Sequence, residues 1–278
     1  FAQLLGMTTR ELANVEASNS ALALRTQEAG ESKVTYSPAD LARYRELLGR
    51  KPKPIPRRKQ LFLNFKGGTG KTSVSTSYAF RLAERGYKVL VIDLDSQGHA
   101  TKCLGLEPDR YPRTLADALI KRVPLREVRV ATGYPGLDVV PSNLNMSTVD
   151  LAPMPLAGRE FRLKNVLKEL EGEYDTIVFD APPSFGLLNL NALVAADTLL
   201  VPVLADFLSF HGLKLLFETV QSLEEDLQHV LDHIFIVLNG YNATYKIAKE
   251  SKEALETHYA DFMLKHVIRQ CSKFQQAS

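Results

Sequence analysis

Short apolar runs rich in β-branched residues alternate along most of the chain with segments in which apolar residues recur at helical spacing. From Gln60 onward the apolar runs predict strands at 61–64, 88–93, 137–140, 176–180, 198–202 and 234–239. The intervening segments predict helices at 72–85, 160–170, 188–195, 211–221 and 246–259. Nearly continuous apolar strands that alternate with helices are typical of an α/β fold, a mostly parallel sheet with helices on both faces.

The first 50 residues predict a small helical unit instead. Thr8 and Glu11 have the spacing of a capping box, which predicts a helix through about Ala17. Pro38 suits the first position of a further helix, because that position needs no amide donor. Two helices joined by a turn at Gly6 have the outline of a helix-turn-helix. A helical hairpin of this length is also compatible with a dimerisation element.

Between this unit and the alternating pattern, residues 51–59 predict an extended basic linker. Prolines interrupt any helix there, and every charged residue of the segment is positive. A solvated tether that binds nothing and a segment that contacts phosphates without sequence preference both remain open. We therefore expect a helical unit at 1–50, the linker, and a larger α/β domain at 60–278.

Composition adds little to this prediction of the fold and the domain bounds. The chain has 278 residues, 45% hydrophobic and 24% charged, and its formal net charge of +2 favours no class of partner. No apolar run approaches the ~20 residues that span a bilayer, and no signal-peptide pattern occurs, so we expect a cytoplasmic protein without a membrane partner. Cys103 and Cys271 are far apart, which favours reduced thiols. Because the chain begins with Phe1, we expect its natural N-terminus to be missing.

The strongest chemical signal is the segment from Lys66 to Thr72, which follows a predicted strand and opens a predicted helix. This is the setting of a phosphate-binding P-loop. Its glycines let several backbone N–H groups converge on phosphate oxygens, and the helix start adds partial positive charge. We expect Lys71 to lie against the β and γ phosphates and the Thr72 hydroxyl to reach Mg²⁺. The predicted nucleotide-binding residues here are Lys66, Gly67, Gly68, Thr69, Gly70, Lys71, Thr72 and Ser73.

A second lysine at the start of this loop, Lys66, gives the spacing Lys-Gly-Gly-x-Gly-Lys-Thr. With this motif the chain from about Gln60 to Ser278 resembles the deviant-Walker ParA/MinD family, in particular the ParA partition ATPases. The resemblance implies a homodimer that sandwiches ATP and Mg²⁺, in which Lys66 reaches the nucleotide of the other subunit. A second cation on the developing phosphate charge is a catalytic device comparable to an arginine finger. Family members usually continue by one more helix, so we expect the C-terminus to be missing as well.

Two carboxylate segments follow the loop. Asp93 and Asp95 end a predicted strand and resemble the family segment Asp-x-Asp-Pro-Gln-Gly, with Ser96 in place of the proline. Asp180 ends a further strand, and the run that begins there is close to the ParA pattern, which favours ParA over MinD. The resemblance implies that Asp95 positions the attacking water. It also implies that Asp93 supports the Mg²⁺ shell and that Asp180 faces the ion through water.

The resemblance also suggests an adenine contact and a DNA surface. Asn239 ends an apolar strand where relatives hold adenine, although an asparagine at a strand end is commonly a turn residue. Nonspecific DNA would bind basic residues late in the domain, at Lys273 with Arg269 and Lys246 nearby. Ordinary solvated side chains are the alternative at these three positions.

Residues 1–17 and 36–48 resemble the winged-helix segment with which larger plasmid ParA and RepA proteins bind operator DNA, and Arg10 would lie on its recognition helix. Together these features predict a nucleoid-associated ATPase that is weak alone and stimulated by a ParB-like partner. Hydrolysis would release DNA, so that a plasmid or chromosome is segregated. One alternative is an orphan ATPase of this fold that positions chemoreceptors, a microcompartment or division proteins, which the N-terminal unit and linker disfavour. Another is a nucleotide-regulated transcriptional repressor.

Overall fold

The computed structural model describes residues 1–19, 36–152, 157–206 and 208–271. Within them the strands are β1 (Arg58–Phe62), β2 (Val89–Asp93), β3 (Val130–Ala131), β4 (Leu137–Val140), β5 (Thr176–Asp180), β6 (Thr198–Leu204) and β7 (His233–Asn239). They form a seven-stranded sheet in the order β3-β4-β2-β5-β1-β6-β7. Neighbouring strands are parallel except β3 and β4, which are antiparallel at one edge. The predicted α/β fold with a mostly parallel sheet is therefore confirmed.

The helices of the described residues are α1 (Thr9–Ser18), α2 (Pro38–Leu47), α3 (Lys71–Glu84), α4 (His99–Cys103), α5 (Leu115–Lys121), α6 (Leu125–Val128), α7 (Arg162–Leu167), α8 (Leu187–Ala195), α9 (Leu208–Leu227) and α10 (Lys246–His258). The sequence pattern does not predict α4, α5 and α6, because such short helices do not establish a helical period. The helix predicted at 160–170 is instead α7 between two 3₁₀ turns, Arg159–Phe161 and Lys168–Leu170.

Alternate residues of the central strands pack on opposite faces of the sheet, which buries both faces. Leu61 and Leu63 belong to one apolar cluster, whereas Phe62 between them belongs to another. The second cluster includes Ala79 and Ala83 of α3, so this helix packs on the sheet through small side chains. Burial of a side chain the size of Leu or Phe stabilises a fold by about 1.5–3 kcal/mol. The central strands are thereby fixed, and the loops at their carboxyl ends meet at one edge.

The N-terminal unit has an apolar core of its own. Its fully buried members are Leu5, Met7, Leu12, Leu41 and Tyr44. Both predicted helix starts are confirmed, because Thr8 with Glu11 and Ser37 with Asp40 form capping boxes. Of the predicted helix-turn-helix, Ala2–Leu5 is a 3₁₀ helix that ends at Gly6 with φ of +66°, and α1 follows. Residues 20–35 of this unit lie outside the described residues, and the winged-helix assignment stays a prediction.

The segment predicted as a linker packs against the larger domain. The Tyr87 hydroxyl donates to the Lys53 carbonyl oxygen at 2.9 Å, and the Arg57 guanidinium donates to the Gly172 carbonyl oxygen at 3.1 Å. β1 then begins at Arg58, inside the predicted linker. The segment is therefore held to the domain at these points, and whether it contacts phosphates stays a prediction.

Arg45 of α2 joins the N-terminal unit to the larger domain. Its guanidinium donates to the Leu4 carbonyl oxygen at 3.1 Å and also to the carbonyl oxygen of Glu84, the last residue of α3. Burial lowers the pKa of Arg45, and nearby Tyr134 and Glu84 partly oppose this effect. Because a cation is favourable at a helix C-terminus, Arg45 caps the helix that begins at the phosphate loop.

Candidate functional site

The predicted phosphate loop connects the carboxyl end of β1 to the first turn of α3. Gly68 and Gly70 have φ of +73° and +86°, a left-handed conformation that favours glycine. Gly70 is also crowded, because a Cβ there would lie 2.2 Å from Nδ2 of Asn239. Since α3 begins at Lys71, the first N–H groups of the helix have no partner within the helix. The loop therefore has the backbone geometry of an anion-binding turn at a helix N-terminus.

Both lysines of the loop contact protein oxygen atoms. The Lys71 ammonium donates to the Lys66 carbonyl oxygen at 3.1 Å. Burial lowers the pKa of Lys71, and the charges of Asp180 and Asp95 oppose this effect. The Lys66 ammonium donates to both carboxylate oxygens of Asp206, at 2.8 and 2.7 Å. Lys71 is thus positioned within the loop, whereas the Lys66 side chain extends to the turn that follows β6.

Asp180, the last residue of β5, is fully buried beside the start of α3. One of its oxygens accepts a hydrogen bond from the Thr72 hydroxyl at 2.7 Å, and the other accepts one from the Ser75 hydroxyl at 2.8 Å. The strand register places Asp93 of β2 directly beside Asp180. Burial raises the pKa of Asp180 to about 6. Burial, followed by the charge of Asp180, raises the pKa of Asp93 to about 7.

Asp93 holds the segment that carries Asp95. It accepts hydrogen bonds from the Thr101 amide and hydroxyl at 2.8 and 2.7 Å, and from the Asp95 amide at 3.1 Å. The Asp95 carboxylate accepts from the Gln97 amide at 3.0 Å, which makes a tight turn although Ser96 replaces the proline. Asp93 therefore anchors this turn, a contribution that the sequence does not reveal. The Mg²⁺ role implied for Asp93 and the water-positioning role of Asp95 stay predictions.

A groove of about 500 Å³ continues from the phosphate loop. Asn239 at the end of β7 lines it and donates to the Thr69 carbonyl oxygen at 2.9 Å, which joins the strand end to the loop. The Thr69 hydroxyl is buried and has no hydrogen-bond partner within the part of the chain that the structure describes. The other lining residues are Gly68, Ser73, Val74, Ser77, Tyr78, Arg81, Gly240, Ile268, Arg269, Gln270 and Cys271. The size of the groove suits the base and ribose of a nucleotide.

Sequence reasoning placed Asn239 and Ser73 at this site but missed the wall that α3 supplies. Val74, Ser77, Tyr78 and Arg81 line the groove together. Their spacing is that of one helix face, i, i+3, i+4 and i+7, so helical periodicity after the loop is the signal that could have found them.

The residues present fit a nucleotide that carries a divalent cation. Thr72 and Asp180 supply oxygen atoms of the kind that Mg²⁺ takes. Across the described ranges, no group of three or more His, Cys, Asp or Glu side chains could hold a metal ion. A cation beside Thr72 would therefore need oxygen atoms from phosphate and water to complete its shell. It would also favour the charged forms of Asp93 and Asp180, which burial otherwise disfavours.

The residues predicted to bind DNA lie in separate places. Lys273 is outside the described residues. Arg269 is exposed at the rim of the groove, and Lys246 is exposed at the start of α10, with its ammonium 3.5 Å from the carboxylate of Glu250. Arg10 is exposed on α1, in the unit that packs at the other end of α3. These positions are compatible with two separate DNA-binding surfaces.

In the part of the chain that is described, no helix is both long and apolar enough to cross a membrane.

This geometry is that of a P-loop ATPase, and comparison with known proteins narrows the class. The family described as AAA domain matches residues 58–233. The cell division protein PomZ of Myxococcus xanthus is 68% identical over 246 residues, which are 88% of this chain and 77% of that protein. The chromosome partitioning protein ParA of the same organism is 34% identical over 196 residues, 70% of this chain and 69% of that protein. The chain therefore belongs to the ParA-type partition ATPases, as its motifs indicate.

A solved structure shares the fold and carries a nucleotide. Cobyrinic acid a,c-diamide synthase from Mycobacterium smegmatis with bound ADP and magnesium is 28% identical, with a TM-score of 0.72 over 78% of this chain and 88% of that chain. The match to PomZ, at 246 residues, is longer than the domain predicted at 60–278, so it extends into the N-terminal region.

Proposed function

We propose that the chain is an ATP-driven switch that positions a cell-division cargo on DNA. The observation that carries this proposal is the meeting of Lys71 and Thr72 with Asp95 and Asp180 at one edge of the sheet. Phosphoryl transfer needs mainly positioning and charge stabilisation, and this set supplies a cation, a hydroxyl and carboxylates for both.

In this proposal the phosphates of ATP lie on the loop and the base lies in the groove beside Asn239. Lys71 stabilises the β and γ phosphates. The Thr72 hydroxyl would hold Mg²⁺ with support from Asp180, and the ion would supply positive charge beside the phosphates. Asp95 orients the attacking water, and Asp93 keeps the Asp95 segment in place through the hydrogen bond from its amide.

A sandwich of two subunits makes the switch depend on ATP. Lys66 of each subunit stabilises the phosphate charge of the nucleotide bound by the other. To change a dimer from almost fully absent to almost fully formed, ATP must favour it by about 5.5 kcal/mol over ADP. A γ-phosphate shared between the subunits supplies an interaction that ADP lacks.

The dimer binds DNA without sequence preference through basic side chains such as Arg269, Lys246 and Lys273. Such contacts go to phosphates and weaken steeply with salt. A partner that acts as ParB does stimulates hydrolysis and so releases the DNA. The N-terminal unit, with Arg10 exposed on α1, is the candidate surface for operator DNA.

The favoured cargo differs from the first expectation of a plasmid or chromosome. The relative at 68% identity is named a cell division protein, whereas the chromosome partitioning protein is 34% identical. Because the first match also extends into the N-terminal region, that region is no argument against a positioning role.

Fluorescence anisotropy of a random-sequence duplex tests the switch. The full chain should bind the duplex with ATP and Mg²⁺, and the affinity should fall by at least about a hundredfold between roughly 50 and 200 mM salt. Lys71→Ala should abolish this binding, whereas Lys164→Ala, at an exposed position of α7, should leave it unchanged. Equal binding with ATP, with ADP and without nucleotide would contradict the switch.

A second experiment tests the cargo. Loss of the gene should misplace the site of cell division. Normal division with unstable inheritance of DNA would point to partition instead.

A further inference from the structure

Only one of the two carboxylate oxygens of Asp95 takes part in the turn that this residue begins. Its Oδ1 atom accepts from the Gln97 amide at 3.0 Å. Across the residues that the structure describes, its Oδ2 atom accepts no hydrogen bond. The side chain is only 15% exposed, so it has little room to turn toward bulk solvent. The Oδ2 atom is therefore an acceptor that is left for a water molecule within the site.

His99, the first residue of α4, lies beside this oxygen atom. Its Nδ1 atom is 4.0 Å from Oδ2 of Asp95, and its side chain is 58% exposed. Two residues further along α4, Thr101 is completely buried and donates to Asp93 through its amide and its hydroxyl. Because Asp93 also accepts from the Asp95 amide, one buried carboxylate fixes the backbone that carries both side chains.

The distance between Nδ1 of His99 and Oδ2 of Asp95 fits one shared water molecule. The two atoms, 4.0 Å apart, are too distant for a direct hydrogen bond, which needs about 2.7–3.2 Å. A water about 2.8 Å from each atom would see them at an angle of about 90°, near the angle between its own hydrogens. A carboxylate oxygen accepts, and so does the unprotonated nitrogen of a neutral imidazole. Oδ2 and Nδ1 can therefore take both hydrogens of the same water.

Asp95 lies near the charged groups of the phosphate loop. Burial is the largest cause of the lowered pKa of Lys71 and of the raised pKa of Asp180. The charge of Asp95 opposes the first shift and adds to the second. A water held by Asp95 is thus close to the lysine that is expected to lie against the γ phosphate. If both hydrogens of this water point to acceptors, its lone pairs are left for a bond to phosphorus.

We propose that His99 is a catalytic residue that holds the attacking water together with Asp95. This inference rests on the proposed function, which gives that task to Asp95 alone. The water oxygen bonds to the γ-phosphorus while the bond from phosphorus to the bridging oxygen breaks, and its electron pair stays on ADP. One water hydrogen remains on the released phosphate, and the other leaves as a proton beside Asp95. His99 stays neutral and contributes by orienting the water.

The expected effect of His99 is on the rate and not on binding. A water held by Oδ2 of Asp95 alone can rotate about that hydrogen bond, whereas a second acceptor fixes its orientation. Because misplacement of reacting groups by about 1 Å can cost a hundredfold in rate, loss of Nδ1 should slow hydrolysis by about 10- to 100-fold. Nucleotide affinity should stay within about twofold, since His99 contacts the water and not the nucleotide.

The test compares His99→Asn, His99→Gln and His99→Ala in the full chain. The asparagine oxygen is bonded to Cγ, as Nδ1 is, so His99→Asn keeps an acceptor at that place. The glutamine oxygen lies one bond further out, and alanine has no acceptor. Single-turnover release of phosphate from MgATP in the presence of duplex DNA measures the rate. Titration with a fluorescent non-hydrolysable ATP analogue measures affinity.

We expect His99→Gln and His99→Ala to lose about 10- to 100-fold in rate, and His99→Asn to keep at least about a third of the wild-type rate. The matched control is His233→Gln, which should equal the wild type. His233 is also an exposed histidine, but it begins β7 at the amino ends of the strands, away from the phosphate loop.

Three results would overturn the inference. One is a wild-type rate in His99→Gln and His99→Ala. Another is a loss in His99→Asn as large as in His99→Ala, because an acceptor at the place of Nδ1 would then have no effect. The third is a fall in analogue affinity that matches the fall in rate, which would indicate a structural role. If the wild-type chain binds the analogue but releases no phosphate from ATP, the proposed function itself fails, and this result is distinct from the other three.

Discussion

Replacing Asp93 with asparagine should stabilise the nucleotide-free protein at alkaline pH, although Asp93 belongs to the predicted site. The side chain is completely buried, and burial together with Asp180 raises its pKa from 3.8 to about 7. Between these two values the folded protein binds a proton that the unfolded chain has lost, so stability falls as pH rises. The penalty is fully present above the folded-state pKa of about 7 and disappears below the unfolded-state value of 3.8.

The size of the effect follows from the same two values. At pH 8 the ionised, buried carboxylate costs roughly 4 kcal/mol of stability, and at pH 5 the cost is roughly 2 kcal/mol. An asparagine oxygen can still accept from the Thr101 amide and hydroxyl. Its NH₂ group, however, would face the Asp95 amide, and this unsatisfied donor costs about 1–3 kcal/mol at either pH. The difference between the two pH values, about 2–3 kcal/mol in favour of asparagine at pH 8, is independent of that loss.

Urea unfolding in EDTA at pH 5 and pH 8, followed by circular dichroism, measures both free energies. Asp93→Asn should raise the midpoint at pH 8 and leave it close to the wild-type value at pH 5. A companion variant, Thr101→Val, removes a donor from the same carboxylate and should destabilise the protein, more at pH 8 than at pH 5. Equal destabilisation by Asp93→Asn at both pH values would refute the argument that a buried charge opposes folding here.

Two further predictions concern the groove and the domain junction. Asn239→Ala removes the amide that donates to the Thr69 carbonyl oxygen and part of the groove wall, so ATP affinity should fall about five- to tenfold. Isothermal titration calorimetry measures this, and unchanged affinity would mean that the base binds elsewhere. Arg45→Ala leaves two carbonyl oxygens without this donor and should weaken docking of the N-terminal unit by about 1–3 kcal/mol. Limited proteolysis should then cut the linker faster than in the wild type or in Arg10→Ala, and equal rates would contradict a structural role for Arg45.

Local patterns in the sequence predict the strands well because burial on both faces leaves continuous apolar runs. β4 and β5 have the bounds expected from the sequence, and β2 differs by a single residue at its start. The order of the strands does not follow from these runs, since each is apolar whatever its neighbour. Only the pairing of β2 with β5 makes Asp93 and Asp180 adjacent, and this adjacency contributes to the raised pKa of Asp93.

The residues of the candidate site likewise fall into two groups: those of a local sequence motif, and those that only the fold brings together. The phosphate loop is a local motif, so its position and its helix are readable from the sequence. Asp206 follows β6 at no characteristic distance from Lys66, and their contact depends on β6 lying beside β1. Ser75 likewise appears only as a residue of α3 until the fold places its hydroxyl against Asp180. Contacts made across strands are set by the tertiary fold, which the spacing of residues does not encode.

The nucleotide-free subunit already gives most charged groups of the site a partner. Lys66 pairs with Asp206, Lys71 donates to a loop carbonyl oxygen, and Thr72 donates to Asp180. Nucleotide and cation must replace these contacts, because a hydroxyl or an ammonium engaged in one hydrogen bond offers less to an incoming phosphate. The affinity for a nucleotide is then set by the free energy of the new contacts minus that of the contacts they replace. A ligand with more negative charge is therefore favoured. In the proposed function, Lys71 and Thr72 set this threshold when ATP binds.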